Sequence, residues 1–469
     1  MMLALLTIWC AGTGVLFDVQ AVACKNPRAF AFVADCDEDG TGDVLIVDGE
    51  TLVLCPSTTK GATHRIQLPA GAVAFDIANL DGDEQSEIVC VSGNSIIRQD
   101  IALEGPVPAA RELFGVETLF RDVQPGWRKP VVLVVSHEGR QLIALPRENA
   151  LELCSADGKQ VKSFELRDDD SFGIPFTSWY GGPPRIAPPG AFKMKVSHRI
   201  MRKPELPESL QPPHEDDKND LADNYGFFFD QVRELYGKEP PEWIGFFKVA
   251  GDDAASKWTL WAYDADANPL EAQRIVLWIV ELRRDDPETL PRKEAVGPAR
   301  RYPGVAYYRY RYEDYAPDFD GDGYVDLLLM RAPAPGMSVG AVARAVTGRS
   351  YPLHIAIHLF SPDKNRFEAQ PKAQLKLKVP MHWYLTSGPL QKCVLRDFDG
   401  DGKTDFACST DEDRFAVWLF KDGFGEEPDF EYRCDERIEH VALETDLTGD
   451  GRTSIVLRSE KAFHILYAR

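Results

Sequence analysis

An acidic stretch, Asp318-Phe319-Asp320-Gly321-Asp322-Gly323-Tyr324-Val325-Asp326, runs directly into the apolar segment Leu327-Leu328-Leu329-Met330. Carboxylates stand at positions 1, 3, 5 and 9 of these nine residues, with glycine at position 6. Their oxygens can converge on one point only if the backbone wraps tightly. A hard cation that accepts many oxygen ligands in a flexible geometry suits this donor set, so the stretch predicts a Ca2+ site.

The same spacing recurs in four other places. Residues 397–405 and 35–43 keep all four acids and the glycine, whereas residues 79–87 have asparagine at position 1, glutamate at position 9 and no glycine at position 6. Residues 446–454 lack the carboxylates at positions 3 and 9, so we expect this copy to bind weakly or not at all. In chain order the segments are named loop 1 (35–43), loop 2 (79–87), loop 3 (318–326), loop 4 (397–405) and loop 5 (446–454). A sixth segment, residues 121–127, lies where the next loop of the repeat would fall but has almost none of the ligand residues.

Short apolar runs rich in Val, Ile, Phe and Leu flank the loops, which predicts a strand on each side. An EF-hand would need a helix on each side and a bidentate glutamate at position 12, so EF-hands are excluded. The pattern instead resembles the FG-GAP or VCBS-type repeat, the calcium-loop blade also found in the β-propellers of integrin alpha-subunits. The resemblance covers about residues 25–145 and 305–469.

In that family the loop joins two strands of a four-stranded blade. The side chains at positions 1, 3, 5 and 9 hold the ion together with the backbone carbonyl at position 7. The resemblance therefore implies several Ca2+ ions, with Thr41, Tyr324 and Lys403 contributing carbonyl oxygens. The full set of implied ligands is Asp35, Asp37, Asp39, Thr41, Asp43, Asn79, Asp81, Asp83, Glu87, Asp318, Asp320, Asp322, Tyr324, Asp326, Asp397, Asp399, Asp401, Lys403 and Asp405, with Asp446, Thr448 and Asp450 as weak candidates.

The spacing between the segments supports a repeat. From 35 to 79 is 44 residues, from 79 to 122 is 43 and from 397 to 446 is 49, close to the period of about 40 to 50 residues of propeller blades. The interval from 318 to 397 leaves room for one blade with an insertion, and the gap from 122 to 318 hides one blade or two. One blade there gives seven in all, the number we favour.

The predicted fold is therefore an all-β propeller of seven blades with a partly helical insertion in the fourth blade. A single propeller domain would cover residues 24–469, with insertions at about 183–245 and 333–350. Within the middle of the chain, residues 220–236 carry apolar residues at helical spacing, and residues 258–263 and 275–280 read as strands. Residues 354–360 and 366–367, and residues 416–420 and 424, are each interpreted as strand, turn and strand.

Composition limits the partners of the chain. With 469 residues, 44% hydrophobic residues, 36 Gly and 33 Pro, the chain can bury a large core that is interrupted by many turns. The formal net charge of -21 argues against nucleic acid or an anionic membrane as a partner, because both would repel it. Bound Ca2+ would neutralise part of this charge. We expect a monomer.

The N-terminus carries a short apolar run, residues 3–9, followed by small residues. It is too short to span a bilayer and resembles the apolar region of a secretory signal peptide, although the usual Lys or Arg before it is missing. A buried strand is the alternative. Cleavage near Gly14 would leave Val15–Val19 able to pair with the last blade, and Ala23 before Cys24 is another cleavage site, so residues 1–23 are assigned to the signal peptide. This predicts a secreted, periplasmic or cell-surface protein with no membrane span.

The nine cysteines show no metal-finger or disulfide spacing, and their pairing stays open. Cys90 and Cys408 fall at the same place, three residues after loop position 9, which indicates core packing. His354 and His358 are four residues apart, a zinc spacing only on a helix; on the predicted strand they should line one solvated face. Alternating Tyr308, Tyr310 and Tyr312 indicate either core packing or a binding face.

Enzyme motifs are weak. Gly336–Gly340 fits the nucleophile-elbow pattern, but Pro333 and Pro335 interrupt the strand that the pattern requires. The favoured function is a non-catalytic, calcium-stabilised binding or adhesion module for a protein or a glycan outside the cytoplasm. The alternative is a polysaccharide lyase or hydrolase on the same scaffold, because a propeller active site can be assembled from dispersed loop residues. The ligand or substrate is not specified by the sequence.

Overall fold

The computed structural model describes residues 16–83, 85–102, 108–116, 129–130, 133–146, 150–165, 243–251, 255–263, 272–283, 300–303, 305–307, 317–332, 350–380 and 393–469. These residues form strands joined by turns and loops. Over the same ranges, no helix is long and apolar enough to cross a bilayer. The chain divides into two units, unit 1 (Met1–Ile200 and Glu436–Arg469) and unit 2 (Met201–Asp435).

The described residues of unit 1 form four antiparallel sheets, three of four strands and one with a fifth, parallel strand. The N-terminal sheet is completed by the C-terminal strands, in the order β1-β31-β30-β29, and the other three run β2-β3-β4-β5, β10-β6-β7-β8-β9 and β11-β12-β13-β14. The strands are β1 (Phe17–Ala23), β2 (Phe30–Ala34), β3 (Asp43–Asp48), β4 (Thr51–Cys55), β5 (His64–Gln67), β6 (Ala72–Ala78), β7 (Glu87–Ser92), β8 (Ser95–Asp100), β9 (Arg111–Gly115), β10 (Lys129–Pro130), β11 (Val134–His137), β12 (Arg140–Pro146), β13 (Ala150–Cys154), β14 (Gln160–Glu165), β29 (Ile438–Thr445), β30 (Ser454–Ser459) and β31 (Ala462–Ala468).

Where the structure describes unit 2, it forms three further four-stranded antiparallel sheets and a hairpin, β22-β23. The sheets run β15-β16-β17-β18, β19-β20-β21-β24 and β25-β26-β27-β28. The strands are β15 (Trp243–Gly251), β16 (Ala255–Tyr263), β17 (Ala272–Arg283), β18 (Arg300–Pro303), β19 (Val305–Tyr307), β20 (Leu327–Ala332), β21 (Ser350–His358), β22 (Phe360–Ser361), β23 (Arg366–Phe367), β24 (Ala373–Pro380), β25 (Cys393–Arg396), β26 (Asp405–Asp411), β27 (Arg414–Trp418) and β28 (Phe430–Arg433).

The burial of the strands follows from their patterning. In β24 the apolar residues Ala373, Leu375, Leu377 and Val379 are buried and alternate with exposed polar residues, because successive side chains of a strand point to opposite faces. In β3 and β30, the second strands of two loop-bearing sheets, an apolar run lies between polar residues, and nearly every residue of the strand is buried, so both faces are covered. These sheets therefore need a packing partner on each face.

Neighbouring sheets supply that partner. In unit 1 one core cluster is shared by the sheets of β1 and β2, a second by the sheets of β2 and β6, and a third by the sheets of β6 and β11. In unit 2 a cluster is shared by the sheets of β19 and β25. Consecutive four-stranded antiparallel sheets that pack face to face are what successive propeller blades require.

The pairing of the two chain ends agrees with one sequence-based expectation. A strand from the N-terminus was expected to pair with the last sheet, and β1 pairs antiparallel with β31 from Phe17 opposite Ala468 to Ala23 opposite Ala462. The strand lies a few residues later than the expected Val15–Val19. Because β1 extends to Ala23, cleavage immediately before Cys24 would remove a complete strand from the sheet.

Other expectations have mixed outcomes. The strands predicted at 258–263 and 275–280 are found within β16 and β17, and the turn after residue 360 joins β22 to β23. The strand predicted at 416–420 ends at Trp418, and Phe424 lies outside any strand; the next strand is β28. Phe424 instead packs its ring against Phe420 and Phe319.

The prediction that both histidines of β21 are solvated was wrong for His358. Its side chain is buried, and its Nδ1 lies 2.8 Å from the carbonyl oxygen of Glu368. Core packing of the two equivalent cysteines is confirmed, since Cys90 and Cys408 are 0% and 1% exposed within core clusters. All eight cysteines of the described residues are buried, and none of them forms a disulfide with another described residue.

Several expectations fall outside the described residues. They are the helix at 220–236, the tyrosines at 308, 310 and 312, the elbow-like segment 336–340 and the sixth segment, 121–127. The two predicted insertions also lie outside, except for residues 243–245, which begin β15, and residue 350, which begins β21.

Candidate calcium-binding loops

All five loops occupy the same topological place. Each connects the first strand of a four- or five-stranded sheet to the second: β2 to β3, β6 to β7, β19 to β20, β25 to β26 and β29 to β30. The prediction that each loop joins two adjacent strands is therefore confirmed for all five. The sheets position the loops, and hydrogen bonds within each loop set its shape.

The acid at position 1 turns the backbone around itself. In loop 3, Oδ1 of Asp318 accepts the N–H of Gly321 (2.7 Å), and Oδ2 accepts the N–H of Gly323 (2.8 Å). The equivalent bonds occur around Asp397 in loop 4 and around Asp446 in loop 5. A short side chain that captures backbone N–H groups a few residues ahead is the usual way in which Asp and Asn stabilise turns.

The acid at position 5 makes a second contact that all five loops share. One of its oxygens accepts the N–H of position 7 at 2.7 to 3.0 Å. The acids that do so are Asp39, Asp83, Asp322, Asp401 and Asp450. Because loop 5 keeps this bond and the position 1 bonds, its lost carboxylates have not changed the backbone frame.

Two residues of the frame have left-handed backbone conformations. Glycine at position 6 was expected, and it has a φ of 85° in loops 1 and 3. Position 4 is also left-handed, which the sequence analysis missed; it is glycine in four loops but Glu38 in loop 1, with a φ of 57°. A residue with a Cβ is strained in this region, so loop 1 carries a local cost that loops 3 and 4 do not.

The acid at position 9 is buried and pins the loop to its sheet. Asp326 is 0% exposed; its Oδ2 accepts the N–H of Phe319 and its Oδ1 that of Phe360, both at 2.8 Å. Asp405 accepts the N–H groups of Phe398 (2.9 Å) and Phe420 (2.8 Å) in the same way. Burial raises the pKa of both Asp326 and Asp405 to about 8, although these hydrogen bonds oppose the shift. A positive charge at the loop centre would favour the ionised form of both.

Carboxylate oxygens converge in four of the loops. One oxygen from each of three acids lies within 4.8 Å of the others in the groups Asp35, Asp37 and Asp39; Asp81, Asp83 and Glu87; Asp318, Asp320 and Asp326; and Asp397, Asp399 and Asp405. Ligand distances of about 2.3 to 2.6 Å place two oxygens of one Ca2+ ion at most about 5 Å apart, so these groups fit the ion. Asp43, Asp322 and Asp401 were predicted as ligands but stand outside these groups.

Loop 1 has a further feature that fits a bound cation. Oδ1 of Asp35 and Oδ1 of Asp37 are buried atoms with no hydrogen-bond partner among the described residues. Burial of a carboxylate oxygen without a partner is costly. Across the described part of the chain, no Lys or Arg forms an ion pair with an acid of loop 1 or of loop 3. The donor sets of loops 1, 3 and 4 therefore fit Ca2+.

Loop 5 retains the hydrogen bonds of the frame but lacks the carboxylates at positions 3 and 9. The guanidinium of Arg452 pairs with Asp450, and this hydrogen bond lowers the pKa of Asp450 to about 2. Ser454 stands at position 9, where its hydroxyl accepts the N–H of Ala468 at 3.0 Å and so replaces one role of the missing aspartate. This arrangement agrees with the expectation that loop 5 binds weakly or not at all.

Two contacts that the sequence analysis missed join consecutive loops. In unit 2 the N–H of Thr404, at position 8 of loop 4, donates to the carbonyl of Asp318 (2.7 Å), and the N–H of Asp318 donates to the Thr404 hydroxyl (2.8 Å). In unit 1 Ser86, at position 8 of loop 2, donates from its hydroxyl to the carbonyl of Asp35 (3.0 Å). A hydroxyl residue at position 8 of loops 2, 4 and 5 is the sequence signal that was overlooked.

Comparisons with known proteins do not assign the chain to a family. No family model matches the chain, and no curated protein matches its sequence. Among solved structures, it aligns with BBS1N in complex with ARL6DN at 9% identity and a TM-score of 0.27, over 96% of this chain and 93% of that chain. An Agrocybe aegerita protein described as recognising non-reducing terminal N-acetylglucosamine aligns at 10% identity and a TM-score of 0.26, over 85% and 78%.

A third alignment is to a catalytically inactive virginiamycin B lyase from Staphylococcus aureus, at 11% identity and a TM-score of 0.27, over 97% of this chain and 100% of that chain. TM-scores of this size are too low for an inference about fold or function. The assignment of this chain therefore rests on its own sheets and loops.

Proposed function

We propose that this chain is an extracytoplasmic, calcium-stabilised β-propeller of the FG-GAP or VCBS type, in which loops 1, 3 and 4 each hold one Ca2+ ion. The seven sheets of four or five strands in the described residues would be its seven blades. The observation that carries the proposal is the convergence of three carboxylates in each of these loops on a hydrogen-bonded frame that recurs in five sheets.

Calcium would stabilise the fold because it binds only the wrapped loop. If a loop binds with a dissociation constant of about 10 μM and Ca2+ is at about 1 mM, each occupied site adds about 2.7 kcal/mol to the free energy of unfolding. Three such sites would contribute much of a folding free energy of about 5 to 15 kcal/mol. Mg2+ demands a stricter octahedron and gives up its waters reluctantly, so it should substitute poorly.

Thermal unfolding tests this proposal. The melting temperature should fall when EGTA removes Ca2+, should recover when Ca2+ is added back, and should recover little with Mg2+. A melting curve that is unchanged by EGTA in protein first loaded with Ca2+ would show that calcium does not stabilise the fold.

The binding role is the second part of the proposal. Carboxylates that are committed to an ion and to backbone N–H groups are poor contacts for a partner, whereas long connections on a rigid scaffold commonly carry binding. We therefore place the binding of a protein or glycan on the insertions at about 183–245 and 333–350. Replacing 333–350 with a short Gly-Ser bridge should weaken binding to a ligand found on a glycan array or in a protein screen, while leaving calcium-dependent melting intact. Equal binding by the deletion variant would move the search to 183–245.

The extracytoplasmic location has its own test. Millimolar Ca2+ is found outside the cytoplasm, where sites of modest affinity are filled. Expression with residues 1–16 present should give secreted or periplasmic protein whose mature N-terminus, measured by mass spectrometry, lies at or before Phe17, since β1 begins there. Protein that keeps Met1 and stays in the cytoplasm would contradict this location.

A further inference from the structure

Loop 2 departs from loops 1, 3 and 4 in its surroundings. It keeps three bonds of the backbone frame: the N–H of Gly82 donates to Oδ1 of Asn79, the N–H of Gln85 to Oδ1 of Asp83, and the N–H of Leu80 to Oε2 of Glu87 at 2.7 Å. Its acids at positions 3, 5 and 9 also converge. The loop therefore has the shape of a calcium site, and its spelling alone predicted one.

A basic side chain already reaches the centre of this loop. The guanidinium of Arg98 on β8 lies 2.6 Å from Oδ2 of Asp81 and 2.7 Å from Oε1 of Glu87, the acids at positions 3 and 9. Its Nε lies 2.8 Å from Oδ1 of Asp100, which holds the guanidinium from its other side. Positions 3 and 9 supply converging oxygens in loops 3 and 4 as well.

The pair is buried as a metal site would be. The side chain of Arg98 is 7% exposed and that of Glu87 is 1% exposed. Two charges are retained in such a place only when they are paired and hydrogen-bonded, and removal of one leaves the other uncompensated. Oε2 of Glu87 accepts the N–H of Leu80, whereas Oε1 is buried without a hydrogen bond and has the Arg98 guanidinium beside it as an ion-pair partner.

The position of Arg98 in its sheet makes it an exception. Arg98 pairs in register with Val89, two residues after loop position 9. The residues at the equivalent register position in the sheets of loops 1, 3, 4 and 5 are Leu54, Ile357, Val417 and Ile465, all aliphatic. A cross-strand partner lies on the same face as the position 9 acid, because side chains on a strand alternate. Only in the sheet of loop 2, among these five, does that place carry a charge.

Position 1 of loop 2 differs as well. Asn79 brings no negative charge, and its Nδ2 donates to the carbonyl of Asp83 across the loop. Both the oxygen and the nitrogen of the Asn79 amide are therefore hydrogen-bonded within the loop. The N–H donor of this amide takes the place of a second carboxylate oxygen at position 1 of loops 1, 3 and 4. At positions 1, 3, 5 and 9 loop 2 therefore carries three acids where loops 1, 3 and 4 carry four, so one arginine leaves at these positions the same residual charge that a divalent ion leaves in the other loops.

We infer that Arg98 takes the place of the metal ion in loop 2, which makes this loop a metal-free copy of the calcium site. The inference deepens the proposed function, since it sets the number of strong Ca2+ sites at three and predicts that replacing one arginine would restore a fourth. It also assigns Asp81 and Glu87 to an ion-pair network and not to calcium.

Equilibrium dialysis against Ca2+ tests the inference by counting ions per chain in the parent and in four variants. Asp399→Asn in loop 4 should lose one ion relative to the parent, which tests the proposed function by itself. Asp81→Asn, a nearly isosteric change at the same loop position, should lose none. Arg98→Gln should gain one ion, and Arg98→Lys, which keeps the charge, should gain none.

The outcomes separate the two claims. Loss of an ion by Asp81→Asn, or no gain by Arg98→Gln, overturns the role of Arg98 whatever the other loops do. No loss by Asp399→Asn counts against calcium in loop 4. The role of Arg98 is then still decided by the comparison of Arg98→Gln with Arg98→Lys. If Arg98→Gln fails to fold in EGTA, rescue of its folding by Ca2+ but not by Mg2+ supports the inference, and failure to fold in Ca2+ as well as in EGTA refutes it.

Discussion

Replacement of Asp405 should separate the two tasks of a position 9 acid, holding the frame and holding the ion. Its two oxygens accept the N–H groups of Phe398 and Phe420, which are buried residues. Asp405→Ala leaves both N–H groups without their acceptor, and a buried group that loses its partner costs about 1 to 3 kcal/mol. In EGTA the variant should therefore lose about 2 to 6 kcal/mol of unfolding free energy.

Asp399→Ala is the matched control in the same loop. Among the described residues, the side chain of Asp399 accepts one N–H, that of Asp401, at 3.2 Å near the surface. Burial and the nearby charges of Asp401 and Asp397 raise the pKa of Asp399. Its removal in EGTA should change stability by less than about 0.5 kcal/mol. With Ca2+ at about 100 times the dissociation constant, loss of the loop 4 ion should cost each variant about a further 2.7 kcal/mol.

Urea denaturation followed by tryptophan fluorescence, in EGTA and in Ca2+, gives the six free energies needed for the parent and the two variants. The reasoning is refuted if Asp405→Ala is as stable as the parent in EGTA, because the frame would then not depend on position 9. It is also refuted if Asp399→Ala loses as much as Asp405→Ala in EGTA, because the ligand and frame roles would then be the same.

Three further predictions follow from single contacts. Glu38→Gly should stabilise loop 1 by up to about 1 kcal/mol in urea melts, because glycine relieves the left-handed φ of 57°; a loss of stability would contradict this. Asp326 and Asp405 have a pKa of about 8 when folded without metal, against a usual value of 3.8, so the stability from their bound protons is present below about pH 4 and is lost as pH rises to about 8. Ca2+ binding at pH 7 should therefore release protons and tighten with rising pH; calorimetric heats that do not depend on the buffer's ionisation enthalpy would exclude this linkage. Thr404→Val removes the hydroxyl that holds Asp318, so titration against a fluorescent chelator should show one site weakened about two- to tenfold, and an unchanged titration would show the two loops to be independent.

The loops were predictable from sequence because their determinants are local. Positions 1 and 5 bond to N–H groups two to five residues ahead, so their spacing in the chain encodes the frame directly. Strand flanks and the blade-like period were accessible for the same reason. The extent of β27 was less accurate, since the packing of Phe424 depends on partners in another sheet.

Contacts between distant segments were not predictable. Arg98 reaches loop 2 only because the register of β7 and β8 places it beside Glu87. Thr404 contacts Asp318 across 86 residues, and Ser86 contacts Asp35 across 51, so neither pair is visible without the arrangement of the sheets. His358 was expected in solvent from its polarity, but its bond to the carbonyl of Glu368 makes burial inexpensive.

The most direct test of Ca2+ binding by loops 1, 3 and 4 is an anomalous difference map from crystals grown in Ca2+, with data collected at a long X-ray wavelength. We expect a peak in each of loops 1, 3 and 4, about 2.3 to 2.6 Å from the carboxylate oxygens of positions 1 and 3, and no peak in loop 2 beside Arg98. Maps without peaks in loops 3 and 4, the two best-spelled copies, would contradict it.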